Sequence, residues 1–135
     1  MLENNHEKKP KKYAGILAHP TSFPSPYGIG DLGKGAYRFI DFLANSGLNL
    51  WQVLPLGHTG FGDSPYQPFS AFAGQPLIID LDALKEYKLL SEDDFTDMPE
   101  WDPIHIDYGT LITFKTKLLK LAYERFTDPD YEDGL

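Results

Sequence analysis

The sequence contains no cysteine, so it can form neither a disulfide nor a cysteine-ligated zinc site. It also lacks any apolar run of about 18 residues, the length that a membrane-spanning helix needs. The polar start, residues 1–12, has no apolar segment of the kind found in secretory signal peptides. Together these absences exclude a disulfide-stapled or membrane-spanning protein and favour a cytoplasmic location.

Basic residues are scarce, with 12 Lys and Arg against 20 Asp and Glu and a net charge of −8. Nucleic-acid binding depends largely on Lys and Arg against phosphates, so this balance predicts no nucleic-acid partner. The lysines of residues 8–12 are interpreted as part of a solvated leader. The acidic residues between Asp82 and Asp107 lack the spacing of a calcium loop, and we interpret them as a solvated face without a metal.

Hydrophobic periodicity predicts one βαβ unit in the first half of the chain. A short apolar strand is expected over 14–18, a helix over 34–47 and a nearly all-apolar strand over 48–54. Such strands are typical of a parallel sheet that is covered on both faces. Asp31 is predicted to cap the helix or lie in its first turn, and Gly47 to follow its last turn. The predicted apolar stripe of the helix comprises Ala36, Phe39, Ile40, Leu43 and Ala44.

Weaker signals follow in the second half. The run 77–79 is apolar but of uncertain type, helical spacing links Leu84 to Leu90, and Ser91 with Asp94 indicates a capped helix start. A long amphipathic helix is predicted over 107–126. The residues expected on its inward face are Leu111, Ile112, Leu118, Leu119, Ala122 and Phe126.

Two loops rich in rings, glycine and proline, residues 19–33 and 57–76, follow the two predicted strands. Ligands of parallel α/β proteins bind at this end of the strands. The exposed rings would suit the apolar faces of sugars, although a peptide, a stacked cation or packing within the loop would also fit. The candidate ring residues are Tyr27, Phe61, Tyr66, Phe69 and Phe72, and the candidate hydrogen-bonding residues are His19, His58, Asp63, Ser64 and Gln67.

Common catalytic motifs are missing: the sequence has no G-x-S-x-G elbow, no P-loop and no H-E-x-x-H. Gly28, Gly30 and Gly33 spell G-x-G-x-x-G, but a proline-rich stretch separates them from the preceding strand. A dinucleotide site is therefore not predicted.

Three long strings carry a resemblance to a known family: AGILAHPTSFPSPYGIGDLG, AYRFIDFLANSG and LWQVLPLGHTGFGDSPYQPFSAFAGQPLIIDLDAL. They resemble the start of the 4-α-glucanotransferases of glycoside hydrolase family 77, also called amylomaltases. The resemblance implies an α/β fold, the N-terminal portion of a (β/α)8 barrel that is incomplete in this chain. It divides the chain into a leader (1–12), the first βα units with their loops (13–126) and a polar tail (127–135).

The resemblance implies transfer of a segment of an α-1,4-glucan to another glucan or glucose by a retaining double displacement, without a cofactor. The family's catalytic Asp, Glu and second Asp belong to motifs that do not occur in these residues. No catalytic role is therefore assigned, either to Asp31 or to Asp63. We expect the chain to supply substrate-binding loops and to be inactive alone. The alternatives are a non-catalytic α-glucan-binding module and a structural remnant.

The resemblance also assigns substrate-binding roles, with maltooligosaccharides as the partner. Tyr66 matches a tyrosine that acts as a platform for the sugar at the cleavage point, and Ser64 matches a neighbour that bonds glucan hydroxyls. Asp63 is expected to brace the loop through backbone N–H groups. Phe61 stands where relatives often have a tyrosine associated with a second glucan groove. Trp51 is interpreted as a packing residue.

Overall fold

The computed structural model describes residues 12–58, 70 and 72–131. The strands are β1 (Gly15–Leu17) and β2 (Leu50–Gln52), and the α-helices are α1 (Lys34–Asn45), α2 (Leu81–Glu86) and α3 (Tyr108–Phe126). Short 3-10 turns span Pro20–Ser22, Pro76–Ile78 and Glu92–Phe95. In this described part of the chain, no helix is both long and apolar enough to cross a membrane.

Strands β1 and β2 pair in parallel, with Gly15 opposite Leu50 and Leu17 opposite Gln52. This arrangement confirms the predicted βαβ unit, although both strands are shorter than predicted. Gly15 is needed at its position, because a Cβ there would lie 2.2 Å from the carbonyl oxygen of Leu50. The absence of a side chain therefore allows the two backbones to approach closely.

The prediction that the sheet is covered on both faces is wrong for the described residues. Leu17 is 55% exposed and Leu50 is 49% exposed, although both lie in the strands. The apolar pattern indicates which side chains can be buried. Their burial also requires another helix, strand or loop that packs against them.

Part of the apolar stripe predicted for helix α1 is buried, as expected. Ala36 and Leu43 are buried, whereas Ile40 and Ala44 are exposed. Gly47 has a φ of +70°, a conformation that suits glycine after a helix end, as predicted. Asp31 neither caps the helix nor lies in its first turn, because Gly33 is the N-cap residue.

The main core lies under helices α2 and α3. Its buried residues are Tyr27, Leu81, Leu89, Leu90, Phe114, Leu118 and Ala122. Leu111, Leu118 and Ala122 confirm the predicted inward face of α3, but Ile112 and Phe126 are exposed. Phe114 and Lys115 are buried in their place, so the inward face is rotated from the predicted one.

Two residues of the acidic segment, Asp82 and Asp94, are half-buried and have hydrogen-bonding partners, which corrects the interpretation of a wholly solvated face. Asp94 forms the predicted capping box with Ser91 and also accepts hydrogen bonds from both terminal nitrogens of Arg125, at 2.6 and 2.9 Å. Asp82 accepts hydrogen bonds from Tyr27 and Lys85. These contacts connect α2 and the turn after it to α3 and to the first loop.

Candidate functional site

The second ring-rich loop begins shortly after β2, and its two ends are held together. Gly57 and Gly74 form an isolated antiparallel bridge, and the backbone N–H of Gln75 donates to the carbonyl of Leu56 at 2.9 Å. The loop therefore starts and finishes at one place, on the side of the sheet where β2 ends.

The predicted substrate-binding residues Phe61, Asp63, Ser64 and Tyr66 lie outside the described residues, and their roles stay predictions. The same holds for Gln67 and Phe69. Phe72 is described, and its side chain is fully exposed. The backbone N–H groups of Phe72 and Ala73 donate to Ser70 Oγ, which shapes the turn that presents this ring.

The prediction that Tyr27 offers its ring to a ligand is wrong. Tyr27 is only 4% exposed, and its ring packs in the main core with a centroid distance of 5.5 Å to Phe95. Its hydroxyl donates to the carboxylate of Asp82. Burial, together with this hydrogen bond, raises the pKa of Tyr27 to about 12. Tyr27 therefore anchors the first loop to the core beneath it.

Other residues of the first loop also serve packing. Phe23 lies 5.0 Å from Phe39 and 5.7 Å from Trp51, measured between ring centroids. Trp51 is half-buried and donates from Nε1 to the carbonyl of Ala18 at 2.8 Å, as its interpretation as a packing residue predicts. His19 Nδ1 lies 2.7 Å from Thr21 Oγ1, so this histidine is engaged within the turn.

Asp31 closes the first loop. One of its carboxylate oxygens accepts from the backbone N–H of Gly33 and the other from Ser25 Oγ, both at 3.0 Å. The next residue, Leu32, donates its backbone N–H to the carbonyl of Ile78 at 3.0 Å. The end of the first loop is thus hydrogen-bonded to the segment that follows the second loop.

A groove of about 800 Å³ separates the first loop from residues 98–106. Trp101 forms part of its wall, and a Cβ added at Gly28 would lie 2.5 Å from the Trp101 ring. Sequence reasoning did not identify this second wall, because residues 98–106 follow neither a helical nor a strand period. The only indication of this wall in the sequence was its composition, which includes one tryptophan and two prolines.

Among the described residues, no group of three or more His, Asp or Glu side chains is arranged to hold a metal ion. The groove lining carries charged side chains as well as rings and backbone groups, among them Glu100 and Asp102.

A parallel βαβ unit with long loops after its strands is the building unit of an α/β barrel. The family model described as 4-alpha-glucanotransferase matches residues 18–134. The chain belongs to this family, glycoside hydrolase family 77, as the resemblance implied.

Curated relatives carry the same description. The chain is 48% identical over 116 residues to the 4-alpha-glucanotransferase of Synechocystis, a match that covers 86% of this chain and 23% of the relative. It is 50% identical over 115 residues to that of Clostridium butyricum, covering 84% of this chain and 24% of the relative. The chain thus spans about a quarter of the length of these relatives.

A solved structure, the amylomaltase from Streptococcus agalactiae in complex with acarbose, matches with a TM-score of 0.83 and 41% identity. The match covers 89% of this chain and 24% of that one. It confirms the predicted fold class, the N-terminal portion of a (β/α)8 barrel.

Proposed function

We propose that this chain forms the substrate-binding N-terminal portion of a 4-α-glucanotransferase, with α-1,4-glucans and maltooligosaccharides as its ligands. The observation that carries the proposal is the match to an amylomaltase solved with acarbose, which covers 89% of this chain. The exposed ring of Phe72 and the fixed ends of the second loop support it.

Within this proposal, the loop residues act through stacking and hydrogen bonding. Tyr66 supplies a flat face for a sugar ring and Ser64 bonds a hydroxyl, while Asp63 braces the loop. Phe61 belongs to a second glucan groove, where it keeps the stacking face of tyrosine but lacks a hydroxyl to donate.

The proposed reaction is a retaining transfer, which requires a nucleophilic carboxylate and an acid/base carboxylate about 5 Å apart. We assign neither role to a residue of this chain, and we propose that the chain alone binds glucan without transferring it. The division into leader, barrel portion and tail and the cytoplasmic location remain part of the proposal.

Titration calorimetry of the chain with maltoheptaose and acarbose tests the binding role. We expect Tyr66→Ala to weaken binding about tenfold, because a stacked ring and its buried area are lost. Tyr123→Ala is the matched control, since Tyr123 is exposed on α3 and belongs to neither loop. Undetectable binding by the unsubstituted chain, or equal binding by all three proteins, would contradict the binding role.

A chimera tests the enzymatic part of the proposal. Residues 18–134 of this chain would replace the matching segment of the Thermus thermophilus relative, to which the chain is 49% identical over 114 residues. We expect the chimera to disproportionate maltotriose, and this chain alone to produce no transfer. A folded chimera that binds glucan but is inactive would instead favour a non-catalytic glucan-binding module.

A further inference from the structure

Three successive carbonyl groups after the second loop accept hydrogen bonds from distant parts of the chain. The carbonyl oxygens of Leu77 and Ile79 lie 2.6 and 2.9 Å from Nζ of Lys115. The carbonyl between them, that of Ile78, accepts from the backbone N–H of Leu32 at 3.0 Å. The segment 77–79 is therefore held on one side by α3 and on the other by the first loop.

Lys115 is completely buried in the middle of α3. Buried lysines are rare, because removing an ammonium group from water is costly unless it finds partners. The partners here are the two carbonyl oxygens, and the carboxylates of Asp31 and Asp80 contribute favourable electrostatics. The neighbouring buried positions of α3, Leu111, Phe114 and Leu118, are apolar, so packing alone does not explain a lysine.

The carbonyls that Lys115 holds lie directly beside the base of the second loop. The 3-10 turn Pro76–Ile78 starts two residues after the bridge between Gly57 and Gly74. Gln75, which joins the turn to the bridge, is buried, and its N–H donates to the carbonyl of Leu56. A displacement of residues 77–79 would therefore move the end of the loop relative to β2.

We propose that Lys115 is a positioning residue for glucan binding: it fixes the backbone of Leu77–Ile79 and thereby the base of the loop that follows β2. It contacts no ligand in this scheme and acts only through the backbone that it holds. The inference rests on the proposed function, since it assigns the loop a glucan ligand.

The test compares three forms of the 135-residue chain: unsubstituted, Lys115→Met and Leu118→Ala. Methionine keeps most of the volume of lysine but leaves the two carbonyls without their donor. Leu118→Ala destabilises the same helix through the main core and leaves Lys115 intact, so it controls for a general loss of stability. Lys115→Gln, which keeps an N–H donor without the charge, serves if the methionine variant does not fold.

Two quantities are measured: the amide hydrogen-exchange rates of Leu32, Gln75, Ile78 and Ile79, relative to those of α1, and the affinity for acarbose. For Lys115→Met we expect about tenfold faster exchange at these amides relative to α1, and about tenfold weaker acarbose binding. For Leu118→Ala we expect the ratio of exchange rates and the affinity to stay near those of the unsubstituted chain. For Lys115→Gln we expect an exchange-rate ratio and an affinity between those of Lys115→Met and Leu118→Ala.

Equal changes in the Met and Ala variants, or unchanged exchange in Lys115→Met or in its Gln substitute, would overturn the positioning role. If the unsubstituted chain does not bind acarbose, the proposed function fails, and the glucan part of this inference fails with it. Faster exchange in Lys115→Met would then still show that Lys115 fixes residues 77–79. The exchange data and the binding data thus separate the two failures.

Discussion

The βαβ region (residues 15–52) and the helical region (residues 76–126) bury their apolar side chains to different extents. In the helical region, Leu81, Leu111 and Leu118 are fully buried, whereas in the βαβ region Leu17 and Leu50 are about half exposed. The sequence has an apolar pattern in β1, α1 and β2 of the βαβ region and in α3 of the helical region. The difference shows that such a pattern identifies an element and its apolar face, while the depth of burial depends on which elements pack against it.

The first loop joins the two regions. Phe23 packs on Phe39 and Trp51 in the βαβ region, whereas Tyr27 is part of the core of the helical region. Leu32 then donates its backbone N–H to the carbonyl of Ile78, two residues after the second loop. The loop therefore packs against both regions and links them.

The largest effect that distinguishes the regions should come from matched leucine truncations. We expect Leu118→Ala to lower the free energy of unfolding by about 2.7–5 kcal/mol, since it leaves a cavity in a closed core. Leu17→Ala should cost below about 1 kcal/mol, because the side chain is half exposed. Urea unfolding followed by circular dichroism measures both, and similar losses would show that the regions are equally packed.

A smaller effect should come from the carboxylate that joins the capped turn to α3. Asp94 accepts from Arg125 and Ser91, and these contacts hold the pKa of its carboxyl well below the usual range. We expect Asp94→Asn to lower the free energy of unfolding at pH 7 by about 1–2 kcal/mol, because charge-assisted bonds are lost.

The same pair sets a pH dependence with a defined sign. A lowered pKa stabilises the fold above the usual aspartate pKa of about 4, and this contribution is lost as the pH falls below it. The difference between the unsubstituted chain and Asp94→Asn should therefore shrink from pH 6 to pH 3. Asp41→Asn, on the exposed surface of α1, is the control, and a constant difference for Asp94→Asn would contradict the prediction.

The smallest expected effect is a rise in the free energy of unfolding at alkaline pH, caused by Lys115. Burial lowers the pKa of Lys115 from 10.5 to about 8, despite the nearby carboxylates of Asp31 and Asp80. Between these values the unfolded chain binds more protons than the folded chain, so stability rises with pH. We expect a gain of about 1 kcal/mol in the free energy of unfolding between pH 7 and 9.

Lys115→Met should remove that gain, which unfolding curves at fixed pH would measure. The pH range ends at 9 because the raised pKa of Tyr27 lowers the free energy of unfolding as the pH rises above about 10. A gain of the same size in Lys115→Met would mean that another group is responsible.

The features that depend on residues close together in the sequence could be predicted from it. The parallel βαβ order follows from apolar periodicity, and the helix end at Gly47 and the capping box of Ser91 and Asp94 follow from residue types at fixed offsets. The predicted inward face of α3 was partly wrong, and it omitted Lys115, which is polar by type and is buried only through carbonyls 36 and 38 residues away.

The candidate site was predictable to a smaller extent. The positions of the two loops follow from the strand order, but the burial of Tyr27 depends on Leu81, Leu90 and Phe114, which come much later in the chain. No local rule indicates such a contact. The assignments at Phe61, Asp63, Ser64 and Tyr66 came from the family resemblance, which preserves long-range information that a single sequence does not show.

The bridge between Gly57 and Gly74 also bears on how much this site can vary. Once the two ends of a loop are fixed by the scaffold, doubling its length adds only about 0.6 kcal/mol of closure entropy. Insertions and deletions between these two glycines are therefore thermodynamically inexpensive as long as Gln75 and residues 77–79 keep their contacts. The bridge is accordingly a suitable boundary for grafting loops of other lengths onto this portion of the barrel.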